Sequence, residues 1–202
     1  MQLSDFQFIK LTNEMTIPTF HCKDEDLNSF LLDDAKKYIN DLMAATYLFV
    51  DVPKNEVVAY FSLLNDKVAY DPSNKSLWNR INRFISNAKR RSSYPSEKIG
   101  RLAVSESYTH NGLGSSILDF IKWSIISDFR FGCRFLTVDA YANVTDFYRK
   151  NGFEFFTMTD ALDSTRLMYF DLKTVKEQIN NLIYERWYLL WQTRLLRRKC
   201  SQ

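Results

Sequence analysis

The stretch IGRLAVSESYTHNGLGSSIL, residues 99–118, decides the fold. Its first part, with Leu102, Ala103 and Val104 in an apolar run, reads as a buried strand. His110, Asn111, Gly112, Leu113 and Gly114 then lead straight into a helix that opens near Ser115 and carries Ile117, Leu118, Ile121 and Ile125. Backbone N–H groups at a helix N-terminus have no intrahelical partner, and glycine lets a ligand approach them closely. Such a turn is an anion cradle, reinforced by the helix dipole, and a pyrophosphate fits it. A glycine in a short strand-to-helix turn also serves purely steric ends, so the turn alone leaves both readings open.

The rest of the chain punctuates around this stretch. All five glycines lie between Gly100 and Gly152, and the four prolines, Pro18, Pro53, Pro72 and Pro95, all precede them. Upstream, DEDLNSFLLDDAKKYINDLMA (24–44) spaces Leu27, Phe30, Leu31, Ala35, Tyr38, Ile39 and Leu42 as one helix face, with acids in the first turn. TYLFVDV (46–52) and EVVAYFSLLND (56–66) read as a hairpin turning at Pro53, Lys54 and Asn55. A second helix is expected from Ser76 to Lys89, with Leu77, Trp78, Ile81, Phe84, Ile85 and Ala88 inward and a basic outer face. Downstream, RFLTVDA (134–140) is a strand and NVTDFYRKN (143–151) a short helix that Gly152 stops. FEFFTM (153–158) and TRLMYFDL (165–172) close the sheet, and a helical pattern without glycine or proline runs from about 173 to 198.

The strand-turn-helix of residues 99–118 and the later VDAYANVTDFYRKNGFEFF (138–156) together resemble the GNAT-fold N-acetyltransferase superfamily. Its phosphate turn follows a strand of the type xxRLAVxxxY, and an asparagine, an FY pair and a GF recur in its later motif. The likeness spans about residues 46–172, and FHCKDEDLNSFLLDDAKKY (20–38) is similar to the entry helix of the subgroup containing tRNA-acetylating toxins. The resemblance implies an α/β GNAT fold: a mixed central sheet of about six or seven strands flanked by helices, in residues 1–172. A C-terminal helical extension, 173–202, would follow.

The resemblance further implies transfer of an acetyl group from acetyl-coenzyme A to a primary amine, with no covalent enzyme intermediate and no metal. Leu102, Ala103 and Val104 would pair with the pantetheine arm, and Thr109, His110, Asn111, Gly112, Leu113, Gly114 and Ser115 would hold the pyrophosphate. The family has Gln or Arg where this chain has Thr109, which exchanges a charge-assisted contact for a hydroxyl. His110 either compensates as imidazolium or is an exposed turn residue. Asn143 either bonds the pantetheine arm, caps the following helix, or does both. Tyr148 is the candidate acid for the thiolate leaving group, and Phe147 a packing residue. The first strand holds no base; Glu106 and Asp139 lie only near strand ends. An α-amine, with a pKa of about 7.7–8.0, needs less help than a lysine near about 10.4.

Charge and cysteine usage narrow the classes. The three cysteines, Cys22, Cys133 and Cys200, form no pair with disulfide or metal-site spacing, which fits a reducing cytoplasm; His21 beside Cys22 lacks a third group for a nucleophile. No apolar run approaches a membrane span. The chain carries +3 overall, but residues 73–98 hold seven Lys or Arg against Glu97, and residues 173–202 hold seven against Glu177 and Glu185. Such flanks repel a cationic acceptor and attract a phosphate-bearing one, which favours an RNA-borne amine, such as the aminoacyl group of a charged tRNA that the subgroup resemblance also implies. Arg80, Arg83, Lys89, Arg90 and Arg91 are the candidate RNA contacts. A small-molecule or protein amine, or a catalytically weak RNA- or partner-binding module, are the rivals. Tyr184, Trp187, Tyr188 and Trp191 form an aromatic stripe in the tail, suited to its own domain, a homodimer or a partner protein.

Overall fold

A computed structural model describes residues 1–127 and 132–175. One seven-stranded sheet, ordered β1-β2-β3-β4-β5-β7-β6, runs through the molecule. The strands are β1 Gln7–Lys10, β2 Ala45–Asp51, β3 Glu56–Ala69, β4 Ser93–Val104, β5 Phe135–Tyr141, β6 Glu154–Phe155 and β7 Thr165–Asp171. Every pairing is antiparallel except β4 with β5, which is parallel and is bridged by α4, Leu113–Ser127. This is the mixed sheet expected from the sequence, with seven strands.

Residue parity along β3 assigns the faces. Phe61 and Leu63 point to the α4 side, with Ile117, Leu118 and Ile121 of α4 fully buried against them. Each such side chain contributes about 1.5–3 kcal/mol on burial. Tyr60 points to the opposite face, under Phe30, Leu31 and Ala35, and Val68 shares that face under Leu77 and Ile81 of α3, Lys75–Ile81. Two helical packs therefore sit on one face and α4 on the other.

The first pack is built as the acidic first turn predicts: Asp24 caps α1, Glu25–Ser29, by accepting from the Asp26 and Leu27 N–H groups. The helix continues through a π turn, Phe30–Asp34, into α2, Ala35–Asn40. That extra residue per turn shifts the stripe, and Leu42, past the helix end at φ 57°, is exposed.

Two other expectations change. The helix expected over 76–89 ends at Ile81, because buried Asn82 turns its side chain back to the Trp78 carbonyl and accepts the Tyr94 hydroxyl. Two short 3-10 turns, Asn82–Phe84 and Asn87–Lys89, replace the remainder, and Ala88 is exposed. The strand expected over 153–158 is only β6, since Asp160 holds Arg166 and the Leu167 N–H and draws the chain into a loop. Of the helical tail expected from about 173 onward only residues 173–175 are described, and the rest, its aromatic stripe included, lies outside the described residues. Among the described residues no helix is long and apolar enough to cross a membrane.

Gly152 ends α5, Thr145–Lys150, as the sequence implies, at φ 84°. The Phe153 N–H bonds the Tyr148 carbonyl and the Gly152 N–H the Arg149 carbonyl, each at 3.0 Å, while the Phe153 and Tyr148 rings touch at 5.4 Å. This is a Schellman stop with its hydrophobic contact, and only glycine enters it without strain. A Cβ at Gly152 would also stand 2.9 Å from the Phe170 ring. Gly152→Ala is expected to lower unfolding free energy by about 1–3 kcal/mol in urea titration; an unchanged midpoint would contradict the stop.

Candidate active site

The parallel ladder between β4 and β5 covers only Ser96–Ile99 against Phe135–Val138. Beyond it β4 keeps to β3, pairing Arg101 through Val104 with Ser62 through Ala59, and β5 keeps to β7 from Asp139 to Tyr141. The two strands part into a split. Its cause is local: the β3–β4 register jumps between Ser62 and Leu63, leaving Gly100 without an opposite residue, which is a β-bulge. A Cβ at Gly100 would lie 2.7 Å from Leu64 Cδ2 and 3.1 Å from Ser62 Oγ. Glycine here lets the strand bend just past Ile99, the last residue paired with β5. The β5-facing backbone of Leu102, Ala103 and Val104 is thus left for an added strand.

The turn at the head of α4 stands past the end of β4. The first bond of the helix joins the Ser116 N–H to the Gly112 carbonyl at 3.1 Å, so the Leu113, Gly114 and Ser115 N–H groups lie ahead of the ladder. His110 and Gly112 both take left-handed backbone, at φ 63° and 72°. The glycine was legible; the histidine's conformation was not. His110 and Asn111 are exposed, and the Asn111 amide bonds the Tyr108 and Thr109 carbonyls within the turn. The Thr109 hydroxyl donates to the Glu106 carbonyl at 2.9 Å, which spends its proton inside the loop. Gly114 has a packing role as well: a Cβ there would sit 3.1 Å from the Phe147 ring, so its absence seats α4 on α5.

Tyr148 is the fourth residue of α5, which follows β5 after the 3-10 turn Ala142–Val144, and is 7% exposed, between Phe147 and Phe153. Burial pushes its pKa far above that of a free phenol, so its proton is retained at neutral pH. Lys122, buried in α4, donates to the Asn151 carbonyl at 2.9 Å and fixes the end of the same short helix. The capping role considered for Asn143 is not seen: Val144 occupies the cap position with no side-chain bond, and Asn143 is exposed in the preceding 3-10 turn.

Of the two acids near the strand ends, Glu106 faces His21 at 3.6 Å and Asp139 is paired with Lys98. A third was missed. Asp26 comes from α1, and its Oδ2 accepts from the Tyr141 hydroxyl at 3.2 Å and faces Arg101 Nε at 3.4 Å, touching both arms of the split. The partners lie up to 115 residues apart, and no local spacing announces them. Cys22 is buried and its thiol pKa raised by that burial, consistent with packing. Among the described residues no group of three His, Cys, Asp or Glu could hold a metal.

The basic candidates do not act as one patch. Arg80 pairs with Glu154 at 2.9 Å, and Arg90 donates to the Ile85 and Asn82 carbonyls, both at 3.3 Å. Arg83, Lys89 and Arg91 are exposed. Arg83 lines a hollow of about 240 Å³ with Arg80, Glu154 and Asp171, and Arg91 lines another of about 650 Å³ with Lys67 and Tyr94. Both hollows lie away from the split.

Residues 73–155 match the acetyltransferase (GNAT) domain family. No curated protein matches the chain in sequence. Solved structures do match in fold. A bacterial toxin superposes with a TM-score of 0.71 at 15% identity, over 87% of this chain and 95% of that one. The AtaT toxin complexed with acetyl-methionyl-tRNAfMet gives 0.68 at 19%, over 87% and 99%. A tyrosine-to-phenylalanine AtaT variant, bound to the C-terminus of the antitoxin AtaR and acetyl-CoA, gives 0.67 at 18%, over 87% and 98%. With the split strands and the turn at the head of α4 in place, the chain has the GNAT fold, and its residues 73–155 are similar to the acetyltransferase (GNAT) domain.

Proposed function

We propose that this protein transfers the acetyl group of acetyl-coenzyme A to the α-amine of an aminoacyl-tRNA. The observation that carries acetyl transfer is the pairing of two open features: a strand edge at Leu102–Val104 and N–H groups at the head of α4. The first suits the amides of pantetheine and the second a pyrophosphate. The residues fit the coenzyme, with Leu113, Gly114 and Ser115 holding phosphate and a β4 N–H polarising the thioester carbonyl.

In the reaction the amine nitrogen bonds the thioester carbon, the carbon–sulfur bond breaks, and the sulfur leaves with its electron pair. The amine loses one proton and the sulfur gains one. Tyr148, kept protonated by burial, donates to the departing sulfur, and the amine's proton returns by solvent to the phenol. Transfer from a phenol of raised pKa to a thiolate is uphill, so the hydroxyl acts chiefly by hydrogen bonding as charge builds on sulfur.

The acceptor reading draws on two supports. The AtaT structure carries acetyl-methionyl-tRNAfMet, and here Arg83, Lys89 and Arg91 offer exposed positive charge for phosphate. The AtaR complex suggests by analogy that a protein partner restrains the activity. A second reading, a weak binding module, is favoured by one observation alone, the Thr109 hydroxyl turned into its own loop.

Titration with acetyl-coenzyme A decides between the two. Saturable stabilisation is expected, about 2.7 kcal/mol at a hundredfold excess over Kd, whereas no thermal shift would leave only the binding module. Tyr148→Phe is expected to cut turnover by about 10²–10⁴ with coenzyme Kd unchanged; full turnover would remove its role. Reversing Arg83, Lys89 and Arg91 to Glu should raise the KM for charged tRNA and flatten its salt dependence, and an unaltered salt slope would exclude these residues from the RNA footprint.

A further inference from the structure

The sheet face opposite α4 has a polar strip between its two helical packs. On it Lys98 of β4 pairs with Asp139 of β5, and Arg101 of β4 and Tyr141 of β5 meet over the split at one oxygen of Asp26. The coenzyme cradle belongs to the α4 side. An acceptor that reaches an acyl carbon lodged in the split arrives from this other side, and the carboxylate standing there is Asp26.

Asp26 is held in place by what surrounds it. The Asp24 cap fixes its backbone N–H at 3.0 Å. Arg101 is itself fixed, with Nη1 on the Gly100 carbonyl at 2.9 Å and its guanidinium over the Phe30 ring at 5.1 Å. Burial and the Asp26 charge raise the Tyr141 pKa, so its hydroxyl stays a donor. Both contacts use Oδ2, and the Asp26 side chain keeps 54% of its surface exposed. A carboxylate clamped through one oxygen and open to solvent is a preset acceptor for N–H donors.

We infer that Asp26 receives the acceptor amine and aims it at the split, with Tyr141 and Arg101 as positioning residues that fix the carboxylate. The substrate class is a molecule presenting a primary amine next to phosphate, the amine at Asp26 and the phosphates beyond it. This deepens the acetyl-transfer reading and rests on it. Asp26 explains how a strand without its own acid or base still selects an amine, since the carboxylate arrives from α1.

The test is steady-state kinetics of the full chain with acetyl-coenzyme A and a panel of aminoacyl-tRNAs and a peptide with a free α-amine, using whichever is acetylated fastest. Asp26→Asn keeps the volume and the Tyr141 bond but loses the charge. It is expected to raise the acceptor KM at least tenfold, with calorimetric coenzyme Kd and melting temperature close to wild type. Asp26→Glu should recover part of that loss, and Tyr141→Phe should raise acceptor KM severalfold. An unchanged acceptor KM in Asp26→Asn overturns the assignment, and so does a loss shared equally by coenzyme Kd or melting temperature. Failure of the wild type to bind coenzyme, or to acetylate any member of the panel, overturns the acetyl-transfer reading instead.

Discussion

A single unpaired residue sets the geometry on which the site depends. Gly100 has no partner in β3, and the β4–β5 ladder ends at the residue before it, Ile99. Backbone groups that a regular sheet would satisfy internally are thereby left facing an opening, and an unpaired backbone edge carries a cost unless water or a ligand covers it. The bulge keeps that edge open without unfolding the strand, because β3 continues to hold β4 on its other side through Val104. The sheet is continuous on one edge of β4 and open on the other, which is what a ligand acting as a strand requires.

The helices on either side are tied to that opening by contacts of different kinds. The Gly114–Phe147 approach seats the N-terminus of α4 against α5, so the N–H groups and Tyr148 belong to one packed unit. The Schellman stop at Gly152 and the Lys122 bond to the Asn151 carbonyl fix the far end of α5. A six-residue helix is too short to be stable alone, and these contacts hold it. On the opposite face α1 is tied in through polar atoms, with the Tyr60 hydroxyl on the Leu27 carbonyl at 2.7 Å and Asp26 on Arg101 and Tyr141.

What was legible in the sequence follows from how far apart the interacting residues are. The strand-turn-helix of residues 99–118, the hairpin at Pro53 to Asn55 and the Gly152 stop depend on neighbours a few positions away, and their residue types declare them. Helix α3 fell short of its apolar period because Asn82 found a tertiary partner in Tyr94, a competition that periodicity does not register. Asn143 looked like a cap on propensity alone, but the 3-10 turn places Val144 there. The bulge at Gly100 and the Asp26 bridge require knowing which strands adjoin. The sequence flagged Gly100 as one of few glycines without saying what it does, and gave Asp26 only as an acid in a first turn.

The distribution of charge over the face opposite α4 then acquires a direction. Acids gather at the start of α1, where Asp24, Glu25 and Asp26 follow one another, while exposed Arg83, Lys89 and Arg91 lie toward the α3 pack. Screening shortens the reach of such charges to about 8 Å at physiological salt, so each group acts on the part of a ligand beside it and not on its net charge. A polyamine satisfies the acids and is repelled by the bases; a bare nucleotide does the reverse. A molecule with an amine at one end and phosphates along its length complements both.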